Sequence, residues 1–584
     1  MFYEIAIIGA GPCGLAVAAR LREKTPSALF TNDEHARYWK KHKQRHNSIE
    51  NERKKRKPST DSGYVSESQN VQGLVPEHPS MIVLDAGSCS WLSTWKQSFR
   101  SLEISHLRSP LFFHLDPRDR DGLLAFAHEH NRTDELLEIP SVVGKELSKH
   151  EKKKQHTRRK KQSKAPHLKI DGRDQLDYFT PSSKLFEDYC EHIIERYKLR
   201  NVVHQAEVLE ISYDGSSIRT NSGSFTIKTG TNSIIYTKIV IVATGPSTTP
   251  IIPGIPRGLG HSGMNHVFHP GGTDLPPALH SRITTTSEKV TIVIIGGGLT
   301  SAQLVHLLLN RYHKHTNLKL HLLLRHPSLK VKPFDVTLPW VSKIRNHLMA
   351  SFYSADNDDE RLAMLLEARN GGSITPYFAK MLRKHETEGR LKIHTSTELK
   401  LCGQEMWNTN TQTWTNLRYQ NKTSDGENFL VQDPTARGLP DTSDHIIFCT
   451  SSAPSLPQIP FLRKLAESHP IVTLSGLPIP TEDLAWSSNV PLFFTGALAA
   501  LRLGPGAANL MGARVGAERI AWVVEAMLGK RGGRGGLIDL SGGERWQRDG
   551  STSEDDRRDS LEDRSDFTGS FSNQYAALSL SDSQ

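Results

Sequence analysis

Paired cysteines are missing from this chain of 584 residues: Cys13, Cys89, Cys190, Cys402 and Cys449 stand singly, with no CxxC or CxxxxC spacing. That argues against a disulfide scaffold, a zinc ribbon and a dithiol redox enzyme, each of which needs closely spaced thiols. Long apolar runs are missing too. None approaches the roughly 18–20 residues that span a bilayer. The 27 histidines include no HExxH or other metal-ligand spacing, so no metal site is expected. Apolar residues make up 36% and charged residues 23%, a lean supply of core formers, so part of the length is expected to stay unpacked. What remains is a soluble, intracellular, reduced chain, long enough for up to about four domains at roughly 150 residues each.

The net charge of +10 is concentrated rather than spread. Lys40–Lys57 carries +7 and Ser148–Lys164 carries +8, while Asp549–Gln584 carries −6. The packed part is therefore near neutral, and no specific nucleic-acid partner is expected. Both basic runs lack periodic apolar residues and have the composition of solvated insertions, about 40–75 and 146–168. Glu52-Arg-Lys-Lys-Arg-Lys-Pro58 and Arg158-Arg-Lys-Lys161 could serve as nuclear import signals in an otherwise cytoplasmic protein. Plain loop insertion is the preferred reading. Past Lys530 the chain turns to Gly, Ser, Asp and Arg, and 530–584 is expected to be a disordered tail.

What is present is a pair of strand–glycine–helix units. Phe2 to Ile8 reads as a buried strand running into Gly9-Ala-Gly11-Pro-Cys-Gly14 and a helix over Leu15–Leu21. Gly9 permits the tight turn, Gly11 lets backbone approach a pyrophosphate, and Gly14 lets helix and strand pack closely. The helix N-terminus then offers unpaired N–H groups to the anion. A strand over Ala28–Asn32 would end at Asp33 and Glu34, where a ribose hydroxyl is expected. Val290–Ile295 meets Gly296-Gly-Gly298-Leu-Thr-Ser301 in the same way. The strand after it ends in Arg325 instead of an acid. A guanidinium suits a 2′-phosphate bidentately, which favours NADPH over NADH.

Two such units nearly 290 residues apart form the layout of flavoproteins that take hydride from a nicotinamide. The expected fold class is α/β, with two interleaved Rossmann-like domains binding FAD and NADPH. The FAD domain spans 1–250 and returns over 441–528, and the NAD(P)H domain spans 285–440. Ala243-Thr244-Gly245 fits a strand that turns where the chain crosses between domains. Gly496 and the Gly504–Asn509 stretch would place helix N–H groups near the flavin pyrimidine edge, where the dipole stabilises negative charge. Within 332–376, Lys332, Asp335, Asn370 and Ser373 lie just after the nicotinamide unit, where a small-molecule substrate could be met.

These residues resemble the lysine/ornithine N-monooxygenase family of FAD- and NADPH-dependent hydroxylases. The resemblance runs from Phe2 to about Leu528, less the basic insertions. It rests on Gly9–Gly14, Trp95 through His106-Leu-Arg108-Ser-Pro110, Gly296–Ala302 and the helix containing Asn509. It implies that Trp95, His106 and Arg108 lie near the flavin, and that reduced flavin reacts with O2 to hydroxylate a nucleophilic nitrogen. The chain departs from the family at Leu102, Leu299 and Phe448–Ser452, so ornithine or lysine is not carried over as substrate. Another flavin NADPH oxidase or a Baeyer–Villiger-type oxygenase stays open. So does a regulatory protein on the same fold, resembling the oxidative-stress-induced growth inhibitors. No side chain is singled out as catalytic, because the chemistry is the flavin's.

Overall fold

The computed structural model describes residues 1–29, 78–140, 142, 178–215, 223–245, 252, 263–269, 271–342, 344–400, 407–422, 428–431, 433–450 and 454–529. Both basic runs, the C-terminal tail, and Asp33 and Glu34 lie outside these residues. In chain order, the elements that carry the argument begin with β1 (Phe2–Ile8), α1 (Pro12–Arg22), β2 (Met81–Asp85), β3 (Val203–Gln205) and β4 (Ile234–Val242). Next come β5 (Met264–His266), β6 (Val290–Ile295), α2 (Leu299–Arg311), β7 (Leu318–Leu323), α3 (Arg345–Tyr353) and α4 (Asp358–Arg369). The set closes with β8 (Leu391–His394), β9 (His445–Phe448), β10 (Val490–Phe494) and α5 (Leu510–Met527).

Two sheets organise them. The first has a parallel core β10-β4-β1-β2-β3, with Ala485–Ser487 antiparallel at the β10 edge and an antiparallel hairpin, Val208–Asp214 and Ser224–Thr229, paired to β4. The second is a wholly parallel sheet of order β8-β7-β6-β9-β5. The central strands β1 and β6 are almost continuous Ile, Val and Ala and are buried from Ile5 to Ile8 and from Val290 to Ile294. That is the composition of parallel strands covered on both faces.

Two sequence expectations are corrected here. Residues 28 and 29 form a turn, not the start of the second strand, and the parallel neighbour of β1 is β2, more than fifty residues further on. β9, expected to begin the return to the FAD domain, pairs with β6 in the second sheet, and the return is made by β10. The stretch between 250 and 285, assigned to neither domain, supplies the edge strand β5. Each error came from reading apolar runs without their partners, which periodicity does not identify.

α5 lies along α1, and the helices are locked by Arg20, whose side chain is buried. Its Nε reaches Glu518 at 2.6 Å and its Nη1 reaches Glu525 at 2.8 Å. The segment after the second sheet crosses back to the first: Phe334, Val336, Trp340, Phe352 and Leu365 belong to the same apolar core as β1 and α1. Among the described residues no helix is long and apolar enough to cross a membrane, and no cluster of three His, Cys, Asp or Glu is placed to hold a metal.

Arg20→Met leaves two carboxylates facing an apolar helix surface, and is expected to cost about 3 kcal/mol in denaturant unfolding. The imidazoles of His321 and His394 stack at 5.2 Å, with Nδ1 and Nε2 3.0 Å apart. Burial first, and the neighbouring cations after it, hold them down at about 3 and about 4. The unfolded chain therefore binds more protons than the native one below about pH 6.5, and stability is expected to fall as pH drops from there towards 4. Thermal unfolding across that range should show less loss in His321→Phe than in the parent.

Candidate functional site

The first glycine turn is closed on two sides and open on the third. Gly9 has φ +108°, and a Cβ there would lie 2.6 Å from the carbonyl oxygen of Ala243. A Cβ on Gly14 would lie 2.2 Å from the carbonyl oxygen of Gly9. Gly11, the N-cap of α1, has nothing within 4 Å of its Cβ position. Sterics therefore demand glycine at 9 and 14, whereas the space at 11 is kept clear at a helix N-terminus, where an anion is stabilised. The hydroxyl of Thr244 is buried there without a hydrogen-bond partner. Gly496 follows β10 and brings its Cβ position to 3.3 Å from the Cys13 sulfur, so Ala243, Thr244, Gly245 and Gly496 assemble around this turn. These features fit a bound dinucleotide.

Sequence reasoning missed Asp85. It ends β2, its Oδ2 accepts from Ala10 N–H at 2.9 Å and its Oδ1 accepts from Gly87 N–H at 2.9 Å. An acid at the end of the strand after the glycine helix is the position that meets a ribose. The signal was present in Met-Ile-Val-Leu-Asp85, but the intervening insertion hid it.

The second turn repeats the geometry. Gly296 has φ +148° and its Cβ position lies 2.6 Å from the Cys449 carbonyl oxygen, while Gly298 N-caps α2. Ser301, standing where a third glycine would be, is buried and donates to the Gly298 carbonyl at 2.7 Å. Arg325, His326, Ser328, Lys330, Gly297 and Gly372 line an adjoining cavity of about 500 Å³. The Arg325 side chain is 79% exposed and only loosely paired with Glu398, Nε to Oε1 3.7 Å, so its guanidinium remains available.

Arg108, implied by the resemblance to lie near the flavin, is bonded to the 332–334 and 373 backbone. Its guanidinium donates to the carbonyl oxygens of Lys332 (2.9 Å), Pro333 (3.2 Å), Phe334 (2.6 Å) and Ser373 (3.3 Å), and to Ser373 Oγ (2.9 Å). Burial pushes it down to about 10. It clamps the segment between the two glycine turns. Trp95 stacks on Phe99 at 4.0 Å and packs near Phe186. His106 bridges to Ser182 and touches Ser105. Neither reaches a glycine turn through these contacts.

The clamped segment touches both sites. Gly372 packs on Gly298, its Cβ position 3.1 Å from the Gly298 Cα, and Asn509 Nδ2 lies 3.5 Å from Asp335 Oδ1. Asn509 also N-caps α5 by accepting from Met511 N–H. Lys332 Nζ is held by the Arg369 carbonyl oxygen at 2.7 Å, and Asn370 by Lys330 at 2.6 Å. Lys332, Asp335, Asn370 and Ser373 are thus gathered beside the second turn, although each has a structural partner.

Two parallel sheets that each present a glycine-turn helix N-terminus define an α/β protein with the FAD- and NADP-binding flavoprotein fold. Comparisons place it more closely. The sequence pattern of the L-lysine 6-monooxygenase/L-ornithine 5-monooxygenase family matches residues 174–433. Among solved structures, an ornithine N-hydroxylase of Kutzneria sp. 744, described with reduced FAD, NADP⁺ and L-ornithine, is 14% identical. The alignment covers 90% of this chain and 100% of that one, with a TM-score of 0.54. The cadaverine monooxygenase of Erwinia amylovora, bound to FAD, is 14% identical over 90% and 95% of the two chains, TM-score 0.53. The ornithine hydroxylase of Pseudomonas aeruginosa is 16% identical over 90% and 100%, TM-score 0.53. No curated protein matches the chain by sequence. The family resemblance read from the motifs is borne out by the sequence pattern over 174–433 and by the fold.

Asp85→Ala removes the acceptor that fixes the Ala10 amide, at the position where a ribose would lie. It is expected to weaken FAD binding about 10- to 100-fold, measured by flavin fluorescence titration of apoprotein.

Proposed function

We propose that the chain is an FAD-dependent oxidoreductase that takes hydride from NADPH and uses O2 to hydroxylate an amine nitrogen of a small molecule. The observation that carries the reading is the clear space at Gly11, beside two glycines that sterics forbid from bearing a side chain. Gly9, Gly11, Gly14 and Asp85 would hold FAD, with Ala243, Thr244, Gly245 and Gly496 around them and Asn509 at the α5 N-terminus. Gly296, Gly298, Ser301 and Arg325 would hold NADPH. When bound, the flavin accepts hydride and activates oxygen.

The chain's own residues bind and orient. The N-termini of α1 and α2 neutralise phosphate charge with backbone N–H groups. Arg108 holds the 332–334 stretch against Ser373, so the substrate-facing segment sits rigidly between the two turns and helps to exclude water. Asp335, next to Asn509, is a carboxylate that would attract the cationic end of an amine. We place the activity in the cytoplasm.

The test is to purify the protein, read its absorption for bound flavin, and follow NADPH oxidation anaerobically and in air with ornithine, lysine and simple amines. Flavin reduction by NADPH with formation of a hydroxylamine supports the proposal. Rapid peroxide release with every amine favours an NADPH oxidase, and a protein that binds no flavin favours the regulatory reading. Arg325→Ser is expected to lower kcat/KM for NADPH about 10- to 100-fold and to leave NADH nearly unchanged, measured by steady-state flavin reduction.

A further inference from the structure

The strand that leads into the second dinucleotide pocket ends without an acid, yet the fold brings one in from further along the chain. β7 ends at Leu323, and Arg325 stands two positions on. The chain later returns beside that end, where the carbonyl oxygen of Leu324 accepts from Thr397 N–H at 3.0 Å and that of His326 from Ser396 N–H at 3.1 Å. A strand, Thr397–Lys400, starts there and pairs antiparallel with Arg418–Lys422, which sets Glu398 opposite Gln420. Opposite residues of such a pair share a face. Glu398 and Gln420 accordingly line the same cavity of about 500 Å³ as Arg325 and Gly297.

The charges in this cavity are free to change partners. Glu398 lies between two cations: its Oε1 is 3.7 Å from Arg325 Nε, and its Oε2 accepts from Lys400 Nζ at 3.2 Å. The first distance is too long for a hydrogen bond. Ion pairs in contact with water hold their members weakly, and all three side chains reach water. Lys330, the other lysine or arginine of the cavity wall, is spent on Asn370, whose carbonyl oxygen and Oδ1 it meets at 2.6 and 2.7 Å. The cavity thus offers a ligand one available guanidinium and, next to it, one available carboxylate. A guanidinium suits a 2′-phosphate, whereas a carboxylate suits a free ribose hydroxyl.

We propose that Glu398 is a specificity-determining residue through which the pocket accepts NADH as well as NADPH, an inference that rests on the oxidoreductase reading above. With NADH, Glu398 would accept from the adenosine ribose hydroxyls. With NADPH, Arg325 would take the 2′-phosphate while Glu398 stays on Lys400, whose charge offsets its own. The carboxylate still opposes the phosphate: one negative charge about 6 Å from a dianion in water costs on the order of tenfold in affinity before salt screening. The loose contact with Arg325 decides the sign of a substitution. Glu398 does not hold the guanidinium in place, so removing its charge relieves repulsion without disordering a phosphate clamp.

The experiment measures binding on the full-length, FAD-loaded protein, with NADP⁺, NAD⁺ and the redox-inert fragments 2′,5′-ADP and 5′-AMP titrated by calorimetry. In the parent the Kd for NAD⁺ is expected within about thirtyfold of that for NADP⁺. Glu398→Gln should tighten NADP⁺ and 2′,5′-ADP about three- to tenfold and weaken NAD⁺ and 5′-AMP by a similar factor. Glu398→Asp should keep the parent's ratio to within about threefold, and Lys464→Met, on the exposed Glu210 pair, should leave all four affinities unchanged. A merely structural role would weaken every ligand together, so movement in opposite directions is the signature. An unmoved ratio in Glu398→Gln, a loss of all ligands together, or a parent preference for NADP⁺ beyond about thirtyfold overturns the proposal. Flavin reduction is scored separately: a protein whose flavin neither nucleotide reduces defeats the oxidoreductase reading, while the selectivity ratio is still read from the titrations.

Discussion

The carbonyl oxygen of Gly9 occupies the place where a side chain at residue 14 would begin. That contact sets how closely α1 can approach β1, and the approach decides where the helix N-terminus points. A backbone N–H array binds phosphate only when it faces open space, and Gly11 supplies that space. The second unit has its own version, with Gly296 pressed on Cys449 and Gly298 at the α2 N-terminus. Much of the remaining structure serves to hold these two ends in a fixed relation.

The holding is done by one segment. Residues 332–373 leave the second sheet, bury Phe334, Trp340 and Phe352 in the core of the first, and return to pack Gly372 on Gly298. Arg108 fixes that path with bonds to four backbone carbonyl oxygens, a use that suits its rigid fork of donors. Arg502 adds an ion pair to Asp358 at the start of α4, Nη1 to Oδ1 2.5 Å. Together these ties make the space between the glycine turns a property of the whole fold, not of one loop.

Much of this was legible in the sequence because local sterics wrote it there. The glycine spacing, the apolar strands at Phe2–Ile8 and Val290–Ile295 and the arginine after β7 all follow from short-range needs. The misreadings involve distance along the chain. The long insertion between α1 and β2 leaves Asp33 and Glu34 at the expected spacing in sequence, and Asp85 becomes a candidate only once β2 is seen beside β1. The strand His445–Phe448 carries no mark of which sheet it joins. The resemblance put Arg108 at the flavin, and only three-dimensional contacts reveal that its donors are spent on carbonyl oxygens.

The central claim is that the clear space at Gly11 exists for a dinucleotide phosphate, and Gly11→Val tests it most directly. Nothing in the fold opposes a side chain there, since the position is open and its φ is −80°. The variant should be purified beside the parent, with Tm and bound flavin measured on both. The account predicts an apoprotein that has lost its flavin, with a Tm close to that of the parent stripped of flavin. A Gly11→Val protein that retains flavin at the parent's stoichiometry would contradict it.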